Sequence, residues 1–129
     1  MFEQLLFEYI RDNFKVDGFN LSFGYGEIPA QTKEPYIIQY SLDMDGTRQV
    51  LCNPDDFTDG ESFTQWNIYA ASQSSADYIY QKLFTFIQGI KQIEEYKIGL
   101  NLFNSNRNIT NPNIGLYMSA LTMQIQYYK

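Results

Sequence analysis

The chain has 129 residues, 44% of them hydrophobic and 19% charged, with a formal net charge of -6. That length fits one domain able to bury a real core, and the balance is globular rather than disordered. With 15 acidic residues against 9 basic ones scattered singly, the basic patch on which nucleic-acid gripping rests is missing, and the absence of histidine removes the usual general base, the usual zinc ligand and every Ser-His or Cys-His dyad.

The opening segment, Met1 to Lys15, places Phe2, Leu5, Leu6, Tyr9 and Ile10 at helical spacing, with Glu3, Gln4, Glu8, Arg11 and Asp12 elsewhere on the wheel. It predicts an amphipathic helix ending near Asp17-Gly18. Phe7 and Phe14 fall beside the stripe and widen the apolar arc to roughly 200°, more than one packed face requires. They serve either a second core contact or a neighbouring molecule. Because Met1 leads straight into this amphipathic segment and no run of 18 apolar residues follows, neither export nor membrane spanning is expected.

After Gly18, "FNLSF" leads into "GYGEIPAQTKEP", whose Gly24, Gly26, Pro29 and Pro35 predict a long mobile connection. Pro35 opens the β-branched and aromatic run "YIIQYSLDM", which reads as a strand. Asp45-Gly46 is a hairpin signal that returns the chain through "TRQVLC". The lone Cys52 has no disulfide partner, which places folding in a reducing cytoplasm, and with no base or CxxC neighbour it reads as a small core residue or inert thiol. "NPDDFTDGES" follows as an acidic loop.

The strand Phe63 to Ala71 alternates Thr64, Trp66, Ile68 and Ala70 against Phe63, Gln65, Asn67 and Tyr69, so Trp66 and Ile68 are expected to face the core. Ser74-Ser75-Ala76-Asp77 has the form of a capping box. Behind it Ala76, Ile79, Tyr80, Leu83, Phe84 and Ile87 make a buried stripe, with Gly89 as the stop. The weakly patterned "IKQIEEYKIGLNLF" and a polar loop, "NSNRNITNPN", lead to a last strand from Gly115 to Tyr128. On it Tyr117, Leu121, Met123, Ile125 and Tyr127 share one face, and Thr122, Gln124 and Gln126 the other. The predicted class is α+β, a mostly antiparallel sheet packed by an N-terminal helix and a second helix over about residues 74-88, in a single domain of residues 1-129.

Phosphate-binding glycine loops are absent, since "GYGEIP" stops at two glycines and opens no helix. Asp43, Asp45 and Gly46 imitate the start of a calcium loop, but the glycine comes early and no Glu sits at the twelfth position. Asp55, Asp56, Asp59 and Glu61 read as a solvated acidic loop, a loose cation site or an acidic lining. The sequons at Asn20-Leu21-Ser22 and Asn108-Ile109-Thr110 have no export signal behind them. No cofactor, metal or catalytic residue is expected. Protein contact is what remains: 11 Tyr and 10 Phe exceed what a small core needs, and Tyr suits surfaces with one apolar and one wet end.

In order and local pattern the sequence resembles the tail terminator, or tail-completion, proteins of long-tailed bacteriophages. The resemblance lies in the N-terminal amphipathic helix, the strand opening Pro35-Tyr36-Ile37-Ile38, the strand Trp66-Asn67-Ile68-Tyr69-Ala70, the Ser/Ala-initiated helix from Ser74 and the final strand opening Gly115-Leu116-Tyr117. It spans nearly the whole chain, with soft motifs. It implies a virion protein of the tail or neck that forms a homohexameric ring on the head-proximal end of the tail tube, halts tube polymerisation and meets the head-tail connector, with DNA passing through the lumen. On that resemblance the subunit interfaces are expected at Phe7 and Phe14, at Tyr25 and Ile28 in the loop Gly24 to Pro35, and at Arg107 in the loop Asn104 to Asn113. Asp55, Asp56, Asp59 and Glu61 are the lumen candidates, since a like-charged wall lets DNA slide past. A phage neck or head-completion protein of similar size is the alternative, followed by a monomeric binding module or an enzyme using carboxylates alone.

Overall fold

The apolar stripes of the sequence become two helices laid on one face of a sheet. The computed structural model describes residues 2–26, 35–41, 59–111 and 116–128, and of residues 59–61, 100–111 and 116 it describes the backbone. Helix α1 is Phe2–Asn13 and α2 is Gln73–Gln88. The strands are β1 Ser22–Tyr25, β2 Tyr36–Ser41, β3 Asp59–Ala70, β4 Gln92–Ile93, β5 Tyr96–Asn111 and β6 Leu116–Tyr128. They form a 6-stranded sheet in the order β1-β2-β3-β6-β5-β4. β1 runs parallel to β2 and every other neighbouring pair is antiparallel, so the chain is α+β.

Alternation decides which side chains meet the helices. Ile37, Trp66, Ile68, Leu121, Met123 and Ile125 point from the sheet into one cluster with Phe2, Leu6 and Ile10 of α1 and Ile79, Leu83 and Ile87 of α2. Among the polar residues of this face is Gln39, 1% exposed. A buried amide costs stability unless both ends are satisfied. Trp66 Nε1–H donates to its Oε1 at 3.0 Å, while its Nε2 donates to the Glu3 carbonyl of α1 at 3.0 Å. Gln39 therefore ties the first helix to the middle of the sheet.

Helix α1 stops at Asn13, short of the predicted end at Asp17-Gly18. The Asn13 side-chain Nδ2 donates to the Tyr9 carbonyl at 2.8 Å, an Asn habit that competes with the helical ladder. Val16 then drops into the core at 6% exposure, and Gly18 turns the chain at φ +87. At the other end Phe2 stacks on Tyr127 with centroids 3.9 Å apart, and Tyr96 meets both rings edge-on.

This burial, followed by the charge of Glu3 and the neighbouring Tyr96, pushes the Tyr127 hydroxyl from its ordinary 10.0 up to about 12. Because the folded value lies above the unfolded one, the stability it contributes is complete below about pH 10 and is lost as the pH climbs toward about 12. Tyr40 and Tyr80, raised by burial, act in the same direction. Urea midpoints measured across that alkaline range should fall less steeply in Tyr127→Phe than in the wild type.

The cap of α2 lies two residues before the predicted one. Ser72, extended at φ -146 and ψ 157, accepts from the Ser75 amide at 3.2 Å, so Ser72 rather than Ser74 is the N-cap. Asp77 does not bond a backbone amide at the helix start as a capping box requires. It accepts instead from Ser119 Oγ of β6 at 2.8 Å and from Gln73 Nε2 at 2.9 Å, pinning the helix to the sheet. Ser72→Ala should therefore cost about 1 kcal/mol in chemical denaturation, with Ser74→Ala nearly silent. Gly89 caps the C-terminus as predicted.

Two segments predicted as loops contribute strands. Gly24 and Tyr25 belong to β1, held in register with Ile38 and Gln39 of β2. The stretch from Asn104 to Asn111 is the second half of β5, paired with β6 from Ser105 opposite Thr122 to Asn111 opposite Leu116. The predicted hairpin at Asp45-Gly46, Cys52 and the partial calcium pattern at Asp43 lie outside the described residues.

Candidate subunit interface

Surfaces for assembly must be sought where the fold leaves apolar or hydrogen-bonding groups without partners inside the chain. Phe14 is not one of them. At 4% exposure it packs against Phe86 of α2, 5.3 Å between centroids, and belongs to the core. Of the two residues that widened the helical arc, Phe14 is thus the second core contact, with no surface left for a neighbour.

Phe7 differs. It is half-buried and meets Tyr25 edge-on at 5.3 Å and 87°, so the fold brings together two of the residues expected at an interface. Arg11 completes the corner, its guanidinium 5.7 Å from the Phe7 ring centroid, a cation–π contact. The Tyr25 hydroxyl shares a 3.1 Å hydrogen bond with Ser41 of β2. Arg11 also bonds Asp12 at 3.0 Å, and this hydrogen bond and charge raise its pKa further above its ordinary value. Since both side chains are solvated, the pair adds little to stability. Aromatic rings beside an arginine are the composition of interface centres, and this group sits beside β1 at the end of the sheet. In the sequence, the wheel position of Arg11 marks it as an ordinary solvated charge.

The sheet face turned away from the helices is largely covered already, Ile38 being 0%, Ala120 4%, Tyr36 6% and Thr122 7% exposed. Tyr36 and Tyr69 stack across β2 and β3 at 4.8 Å, and Gln65 Nε2 donates to Asn67 Oδ1 at 2.7 Å. Register places Gln124 opposite Phe63 and Thr122 opposite Gln65. Among the described side chains of β2, β3 and β6 on this face, none is charged.

The chain matches no protein-family model and no curated protein.

The remaining candidates fall less favourably. Arg107 is a backbone position opposite Ala120 in the β5–β6 ladder, not part of a loop. Asp59 and Glu61 begin β3, opposite Tyr128 and Gln126, so they too lie on a strand and not in a loop. Ile28, Asp55 and Asp56 lie outside the described residues. Among the described residues no three His, Cys, Asp or Glu side chains cluster as metal ligands, and no helix is long and apolar enough to cross a membrane. A shallow hollow of about 150 Å³ beside α2 is lined by Lys15, Val16, Asp17, Tyr78 and Lys82, a mixed-charge rim rather than convergent acids. The Ser119 hydroxyl, although bonded to Asp77, is 0% exposed and so beyond reach of a substrate.

Proposed function

We propose that this chain is a structural subunit of a phage tail: a tail terminator that forms a ring on the head-proximal end of the tube, stops its growth and joins it to the head connector. The observation that carries the proposal is the one-sided architecture. Both helices cover one face of the sheet, while the Phe7–Tyr25–Arg11 corner and, among the described residues, the sheet ends are left for other molecules. A subunit that completes its burial in an assembly has this character, whereas a small-molecule enzyme needs a concave site with convergent polar groups. The resemblance in element order to tail terminators supplies the kind of assembly. The acidic balance, net -6, suits a lumen through which DNA passes unbound.

Native mass decides the matter. The 15.1 kDa chain is expected either as a hexamer, or as a monomer that becomes a ring when tail-tube protein of the same phage is added. In the second case tube lengthening should stop as the protein is titrated in. A strict monomer across a concentration series, indifferent to tube protein and without effect on tube growth, sinks the proposal.

A further inference from the structure

The two ends of the sheet are unlike each other, and among the described residues neither outer edge is paired along its length. On its inner side β5 pairs with β6 along its length, but on its outer side β4 reaches only Tyr96 and Lys97. Beyond Ile98, whose amide bonds the Lys91 carbonyl at 2.9 Å, no strand lies beside it among the described residues, so a row of backbone N–H and C=O groups faces outward for on the order of 40 Å at ~3.3 Å per residue. Such an edge recruits another strand unless it is short, bulged, or guarded by Lys or Pro. Its first half is disturbed by bulges between Ile98 and Leu100 and between Phe103 and Ser105. From Ser105 to Asn111 the ladder is regular, with no Lys or Pro and one charged residue, Arg107. At the opposite end β1, Ser22–Tyr25, pairs with β2 on one side only.

We infer that the outer edge of β5, at Ser105–Asn111, receives the outer edge of β1, Ser22–Tyr25, of the next copy of this chain, continuing the sheet from subunit to subunit. Two different surfaces meeting head to tail generate a closed ring when the rotation allows, and these are the two ends this sheet has. The lengths are compatible, since the regular part of the β5 edge, Ser105–Asn111, is long enough to take all 4 residues of β1. Backbone bonds alone would be indiscriminate; Phe7, Tyr25 and Arg11, grouped beside β1, supply an aromatic and cationic anchor that presses on the neighbour as the strands join. The contact rests on the ring proposed above and specifies how it is joined. Pairing of β5 with β5 of a second copy is the rival, which leaves β1 unused and makes a two-fold dimer.

Peptide-resolved hydrogen exchange on the wild-type chain, free and then assembled on tail-tube ends, tests the contact. Exchange is expected to slow together in peptides covering 22–25 and 105–111, by at least about tenfold for the amides that point outward. Assembly without protection at either segment overturns the β1–β5 contact and leaves the ring standing. Protection at 105–111 alone means β5–β5 pairing and overturns it too. Failure to assemble at all removes the ring and the contact with it. Proline at adjacent positions adds a second readout, because successive amides of a strand face opposite ways. Of Asn106→Pro and Arg107→Pro, one breaks the β5–β6 ladder and loses thermal stability, while the other removes only an outward N–H. The stable one is expected to stay monomeric, and if it assembles as the wild type does, the contact is wrong.

Discussion

Trp66→Ala is expected to lower the free energy of unfolding by about 3–5 kcal/mol, read as a shift of the urea midpoint at constant slope. Trp66 is 1% exposed at the centre of β3, between β2 and β6, so its removal opens a cavity where both helices meet the sheet. A second loss follows from chemistry rather than volume, since Gln39 Oε1 has Trp66 Nε1–H as its donor and would be left buried without one. Trp66→Phe isolates much of this: the ring remains, the donor goes, and the cost should be about 1–3 kcal/mol. Pairing Trp66→Phe with Gln39→Leu should recover part of it, because removing both partners is cheaper than stranding one. Equal losses in the single and double variants would mean that packing alone sets the effect.

Strong periodicity made much of this fold legible. The alternation that points Trp66 and Ile68 inward, and the stripe Ala76, Ile79, Tyr80, Leu83 and Ile87, are buried as the sequence implies, whereas Phe84 of that stripe is only half-buried. Gln39 shows the limit: its parity with Ile37 put it on the inner face, but no local signal announces a partner 27 positions away. The second half of β5 fails for a related reason. "NSNRNIT" has β-branched residues only at its end, Ile109 and Thr110, and lacks the apolar alternation of a strand, so its conformation comes from the ladder that β6 supplies. At α2, serines at 72, 74 and 75 offered several capping registers, and Asp77 drew the choice to Ser74 although its carboxylate is engaged by Ser119 from β6. Sequence could name Phe7 and Tyr25 as candidate contacts. That they touch each other, and that Arg11 joins them, depends on how α1 crosses the end of the sheet.

Phe14 and Phe7 supply the other large contrast. Phe14→Ala should cost about 3–5 kcal/mol, visible as a lowered thermal midpoint of the isolated chain, since the ring is buried against Phe86 beside Tyr9. The helical wheel places it on the flank of α1, where its amide still bonds the Ile10 carbonyl at 2.8 Å, and Phe86 of α2 covers that flank. Phe7, inside the helix, keeps its flanking position, half-buried against Tyr25. Phe7→Ala should therefore cost the isolated chain only about 1 kcal/mol, while weakening assembly on tube ends at least tenfold, as expected for an aromatic anchor. Run side by side, the two variants separate folding from association. Were Phe7→Ala to assemble normally, the corner would be a packing detail of α1 on β1, and the contact between subunits would have to lie along the sheet edges alone.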